Sequence, residues 1–320
     1  MNGSRYAYLA RICELVAHGK DLIIVSDDYA APVLDDFRKD FPARYLSVGI
    51  AEQNLIAVSC GLAMGGKRVI AYGMAPFPLI RALDQIKNIS SIMNLPINIV
   101  VAGIGFGVPE WGATHYNLDD IALTHVIPNM RIITPSDNVM GKLAADYALL
   151  NTEPVYVRFD KNVDGELYSE SAIDFKRGFS VLRNGVDIVV ISCGSFLKSI
   201  LRLADRWKEN GINAMVVDLY SLPFDEYALC KEIGNSPIVT IEEHIVSGGI
   251  GSIILEMLNF RSMNNTVRRL GVKFDNGYPQ TSGSREYYLD KYFLSDDTIT
   301  MTIFSFLASM KSKRLSKTDT

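Results

Sequence analysis

One unit constrains this chain more than any other: residues 44–92 read as strand, glycine, helix, glycine pair, strand, helix. Tyr45, Leu46 and Val48 are strand residues and lead to Gly49. A helical run follows to Met64 and is stopped by Gly65-Gly66, glycine being favoured just past a helix end. A second strand at 68–72 and a helix over 79–92 complete the unit. The first helix is apolar nearly all round (Leu55, Ile56, Ala57, Val58, Leu62, Ala63), which predicts burial. Glu52 then lies in the first turn of a buried helix, beside a glycine that lets another group approach the backbone. The helix macrodipole alone favours a carboxylate there by ~0.3–1 kcal/mol. Spacing therefore leaves a structural role for Glu52 open beside a chemical one.

The same alternation extends in both directions. Residues 5–18 have helical spacing, and residues 21–26 (DLIIVS) form an apolar run bounded by charge. Such runs are parallel strands buried on both faces. Residues 96–102 and 154–159 read likewise, and Ser136 or Asp137 caps a helix to about 151. After a polar stretch the alternation restarts: strand 187–192, helix 196–210, strand 213–219, helix 225–233, strand 237–241, then a glycine run (Gly248, Gly249, Gly251) opening another helix. Two α/β domains with parallel sheets are expected. The boundaries read as 1–165, a linker at 166–185, a second domain at 186–310 and a frayed tail at 311–320.

Bulk properties exclude more than they assign. A chain of 320 residues, 48% hydrophobic and 21% charged, has the length for about two domains. A net charge of −4 offers no basic footprint for nucleic acid. No apolar run approaches the ~18 residues of a membrane span, and the N-terminus reads as a helix rather than a leader, so a cytoplasmic protein is expected. Cys13, Cys60, Cys193 and Cys230 lack metal or redox spacing and read as reduced core cysteines. Gly103-Ile104-Gly105-Phe106-Gly107 follows a strand but lacks the G-x-G-x-x-G spacing and the helix of a dinucleotide site.

The segments GIAEQN (49–54), GLAMGG (61–66) and RALDQI (81–86) resemble the pyrimidine-binding domain of transketolases, which 1-deoxyxylulose-5-phosphate synthase shares. The likeness continues through most of the chain. The fold it implies is a thiamine-diphosphate-binding pyrimidine domain, a parallel sheet with helices on both faces, followed by a transketolase C-terminal-like α/β domain. In that family the glutamate matching Glu52 hydrogen-bonds the aminopyrimidine of thiamine diphosphate, a task that needs a buried, proton-sharing carboxylate. Phe77 matches an aromatic that stacks on the pyrimidine, with core packing as the alternative. Arg81 is a cofactor-side residue that is either structural or phosphate-facing. Asp27, at a strand end, matches an aspartate near the cofactor, although Asp28 replaces the family leucine after it and a solvated strand end would look the same.

The loop Glu110-Trp111-Gly112-Ala113-Thr114-His115 aligns with a family loop whose histidine faces the thiazolium and the donor substrate. His115 takes that place and can hydrogen-bond substrate oxygens or move a proton. The family aspartate four residues earlier is Trp111 here, and the glutamine after the histidine is Tyr116. Tryptophan cannot accept a hydrogen bond. A narrower, more aromatic pocket is expected, unless Trp111 points away. Arg158 matches an arginine that binds substrate phosphate, the alternative being an interdomain salt bridge. His244 is not assigned a catalytic role.

The resemblance covers only the C-terminal half of a full transketolase. The Gly-Asp-Gly motif that serves Mg²⁺ and the diphosphate is missing, and no metal ligand is assigned to this chain. It implies a split enzyme: a separate N-terminal subunit carries the Mg²⁺ and diphosphate site, in a heterotetramer of the α2β2 type. The activity implied is transfer of a two-carbon ketol unit from a ketose phosphate to an aldehyde. A decarboxylating subunit, like deoxyxylulose-phosphate synthase or the β subunit of 2-oxoacid dehydrogenases, and a non-catalytic interaction subunit are the alternatives.

Overall fold

The computed structural model describes residues 3–29, 31–160, 165–275, 277–279 and 282–318. Six parallel strands form most of the first sheet: β1 (Leu22–Ser26), β2 (Tyr45–Ser47), β3 (Arg68–Met74), β4 (Ile97–Ala102), β5 (Arg131–Ile133) and β6 (Val155–Phe159). The rest of the chain adds β7 (Phe179–Arg183), β8 (Ile188–Ser192), β9 (Ala214–Leu219), β10 (Ser221–Leu222), β11 (Ile238–Ile245) and β12 (Val267–Val272). Five of these form the second sheet, in the order β12-β11-β8-β9-β7, all parallel but for β7. The short strand β10 crosses over instead and pairs antiparallel with β5, giving the first sheet the order β10-β5-β6-β4-β3-β1-β2.

Alternation along the strands explains the two faces. Val69 and Ala71 of β3, with Ile97, Ile99 and Val101 of β4, face the helix Glu52–Met64 through Leu55, Ile56 and Cys60. Ile70, Tyr72, Val100 and Ala102 face the other way, onto Tyr8, Leu9 and Ile12 of the helix Ser4–Ala17. A one-residue slip would exchange these sets, so burial on both faces specifies the register. Each fully buried aliphatic side chain is worth about 1.5–3 kcal/mol relative to exposure. Helix Ser4–Ala17 packs closely on Asn138–Leu150, where a side chain at Gly141 would collide with the Ser4 carbonyl.

Several expectations are corrected. The helix expected over 79–92 is a broken path: Phe77–Ile80, then Leu83–Gln85, then a π-helical turn Ile86–Ser91. Ala82 leaves helical geometry at φ −116°, ψ 20°, which places Arg81 at the joint. The segment 166–185 is not all linker, because β7 lies inside it; its residues pair with β9 through space and have too little apolar alternation to show alone. Helix Asp296–Thr318 carries the chain through most of the segment expected as a tail. All four cysteines are free thiols, but only Cys60 is fully buried. Among the described residues, no helix is long and apolar enough to cross a membrane.

Candidate active site

The C-terminal ends of β1, β3 and β4 and the N-terminus of helix Glu52–Met64 meet at one place, the usual ligand position of an open parallel sheet. Gly49 turns the chain into that helix with φ 69°, a conformation that favours glycine. Glu52 is its first residue and its side chain is 5% exposed. Arg81 Nη1 donates to both carboxylate oxygens, at 2.7 and 2.9 Å. The Arg81 guanidinium also lies over the Phe77 ring, 4.3 Å from its centroid, and the Arg81 side chain is 47% exposed.

Phe77 meets His115 edge to face, with centroids 5.1 Å apart, and Trp111 meets the same imidazole at 5.1 Å. His115 Nδ1 shares a 3.0 Å hydrogen bond with Thr114 Oγ1, which leaves Nε2 for a ligand. The loop carrying these residues is tied at its base by Gly105 and Asn117, whose amides donate to each other's carbonyls at 2.8 and 3.1 Å. Between the tie points Gly112 bends the chain at φ 80°. Trp111 is 54% exposed, so it forms an open wall beside the histidine rather than core.

Asp27 follows β1 and is buried. Its carboxylate accepts the Tyr29 amide at 2.7 Å and the Met74 amide at 3.1 Å, joining the ends of β1 and β3. Burial pushes its pKa up to about 6. A side chain at Gly73 would collide with this carboxylate, so the close approach depends on glycine. The solvated strand end considered for Asp27 is therefore not what the fold builds.

Arg158 stands apart from this group. It is 3% exposed, and its guanidinium is paired with Asp120 at 2.7 and 2.9 Å. Asp120 also accepts from Tyr156 Oη and Asn117 Nδ2. Both partners belong to the first domain, so this is neither an open phosphate site nor the interdomain bridge. The interdomain ion cluster is instead Arg285 with Asp160 and Glu243. His244 is buried, its pKa pushed down to about 4 by desolvation, and its Nε2 accepts the Ala122 amide at 3.4 Å. The glycine run that could have met a phosphate is closed by Glu242, which accepts the Ile250 and Gly251 amides at 2.7 and 3.0 Å.

One charged residue near the site belongs to no motif in the sequence. Arg5 is 8% exposed, donates to Tyr29 Oη at 3.1 Å and has a buried Nε without a hydrogen-bond partner. Tyr29 is two residues past Asp27, on the turn that Asp27 holds. The only sequence signal for it is an arginine at the start of an otherwise apolar helix face.

A buried carboxylate at a helix start, placed at the strand ends of a two-domain α/β chain, is the arrangement of a ligand-binding α/β fold. The chain matches "Transketolase, pyrimidine binding domain" over residues 4–163 and "Transketolase, C-terminal domain" over residues 179–299. It belongs to the transketolase family. It is 33% identical over 320 residues to one of the subunits of apulose-4-phosphate transketolase of Phocaeicola vulgatus, covering 96% of this chain and 98% of that one. A split-gene transketolase solved as an inactive β4 tetramer superposes with a TM-score of 0.85 at 30% identity, covering 96% and 99% of the two chains. 1-Deoxy-D-xylulose-5-phosphate synthase of Carboxydothermus hydrogenoformans is 30% identical, covering 87% of this chain but 44% of its own length. The architecture is that of the C-terminal, β-type subunit of a split transketolase, a transferase component.

Proposed function

We propose that this chain works with a separate N-terminal subunit, in an α2β2 assembly, to move a two-carbon ketol unit from a ketose phosphate to an aldehyde. The observation that carries the reading is the convergence of buried Glu52, Phe77 and His115 at the strand ends. These residues fit the aminopyrimidine of thiamine diphosphate: a protonated Glu52 would donate to a ring nitrogen and accept from it once the proton has passed to the ring, and Phe77 offers a face already used for stacking by a planar guanidinium. Bound thiamine diphosphate supplies the thiazolium carbon that carries the two-carbon unit. Glu52 shares a proton with the ring. His115, held at Nδ1 by Thr114, presents Nε2 to the donor's oxygens.

The Mg²⁺ and diphosphate ligands are assigned to the N-terminal partner. Trp111 narrows the acceptor side and replaces a hydrogen-bond acceptor with an indole. Arg5, rather than Arg158, is the cation assigned to a substrate phosphate, because its buried Nε lacks a hydrogen-bond partner while Arg158 is saturated by Asp120. Apulose 4-phosphate, named for the Phocaeicola vulgatus relative, is the first donor to screen.

Calorimetry with thiamine diphosphate and Mg²⁺ tests this on the chain alone and on the co-expressed pair. Binding by the pair only, followed by turnover of a ketose phosphate, supports the split site. Tight binding by the isolated chain, or pyruvate decarboxylation in place of ketol transfer, overturns it.

A further inference from the structure

A second cavity, of about 730 Å³, opens beside β12, the edge strand of the second sheet. That volume lies in the ~300–1,000 Å³ range of small-molecule sites. Its described walls carry the cations Arg268, Lys273 and Lys291 and, among the described residues, one carboxylate, Asp275. Arg269 also borders it, but its guanidinium is turned to the Val246 carbonyl and Ser252 Oγ. On a chain of net charge −4 this is a local reversal of sign. Two of the cations rest on rings: Arg268 lies 5.7 Å from the Phe306 centroid and Lys291 5.8 Å from that of Tyr292.

The aromatic wall is unusual in its backbone. Helix Arg285–Lys291 ends with the Leu294 amide donating to Leu289 and the Phe293 amide to Asp290, a stop that places Phe293 at φ 59°. Glycine is the favoured residue there. Here the position holds a phenylalanine that is 67% exposed, so the ring gains little burial for its strained backbone. Tyr292, packed edge to face on Phe274 at 5.7 Å, stands next to it on the same wall.

We propose that this cavity binds a nucleotide, with the base stacked on Phe293 and Tyr292 and the phosphates held by Arg268, Lys273 and Lys291. An exposed ring beside a surplus of cations suits a π-system that carries phosphate, and stacking tolerates any base. The site uses no residue of the Glu52 cluster.

Calorimetry of the full chain with ADP, adenosine and inorganic phosphate tests it. ADP is expected to bind below about 1 mM, with adenosine and phosphate each at least about tenfold weaker. Phe293→Gly should weaken ADP about fivefold or more, in line with the usual loss of a stacking ring, while leaving the melting temperature unchanged or raised because glycine accepts the φ. Arg268→Glu with Lys291→Glu should weaken ADP further, and Glu52→Gln should leave it unchanged. Equal affinity for phosphate and ADP, loss of ADP binding in Glu52→Gln but not in Phe293→Gly, or no binding of ADP at ~5 mM would each overturn the proposal.

Discussion

Arg81 holds both oxygens of Glu52 through one nitrogen while its guanidinium rests on Phe77. A protonated planar group thus occupies the carboxylate and a ring face that the proposed function assigns to an aminopyrimidine. On the proposed function, cofactor entry therefore competes with Arg81 for Glu52 and for one face of Phe77.

That competition has a direction. Arg81→Ala should bind thiamine diphosphate several-fold more tightly in the assembled pair, because Glu52 no longer has to be released. The cost to stability should be about 1–3 kcal/mol, because the variant leaves the buried Glu52 carboxylate without the donor that both its oxygens use. Weaker binding by Arg81→Ala in calorimetry would show that Arg81 reads the ring itself.

Glu52→Gln keeps the shape but removes the proton-sharing oxygen. Turnover by the pair should fall by about 10²–10⁴, the usual range for a general acid–base group. Assembly, followed by native mass measurement, should be unchanged.

Arg5 and Arg158 should fail in opposite ways. Arg158→Met leaves Asp120 buried without its cation and should destabilise the chain by about 3–5 kcal/mol. Arg5→Met should instead raise KM for a phosphorylated donor and change KM for an unphosphorylated analogue little. Denaturant titration and steady-state kinetics separate the two.

Stability should rise as the pH falls from about 8.5 to 6. Burial pushes Asp218 up to about 8 and Glu242 up to about 7, so the folded state takes up protons while unfolded carboxylates stay ionised. Each group contributes at most about 1.4 kcal/mol per pH unit within its window. His244 opposes this only below its ordinary value of 6.5, where the unfolded state gains protons that the buried imidazole refuses down to about 4. Asp218→Asn and Glu242→Gln should each flatten the slope in urea unfolding between pH 6 and 8.5.

Trp111 supplies the last test. Because it is exposed on the rim, Trp111→Ala should leave the melting temperature within about 1 °C. The range of aldehyde acceptors turned over by the pair should widen, which a substrate screen would register.

The α/β class was legible because strands buried on both faces read as apolar runs and some of the helices between them end on glycine, as at Gly65 and Gly234. Glu52 was legible as a first-turn carboxylate, but its role and that of His115 came from motif likeness, since spacing alone allowed a structural reading. β7 and β10 were not legible, because both form only through partners that lie some 35 and 90 residues away. The same holds for charges: a sequence shows that Arg5, Arg81 and Arg158 exist, while their state depends on which acid, ring or phenol the fold brings within a few ångströms. Local pattern determined where this chain makes strands and helices. Only the tertiary structure decided that Arg158 is spent on Asp120, that Arg81 covers Glu52, and that cations and rings from distant segments share one cavity beside β12, because electrostatics and stacking act through space rather than along the chain.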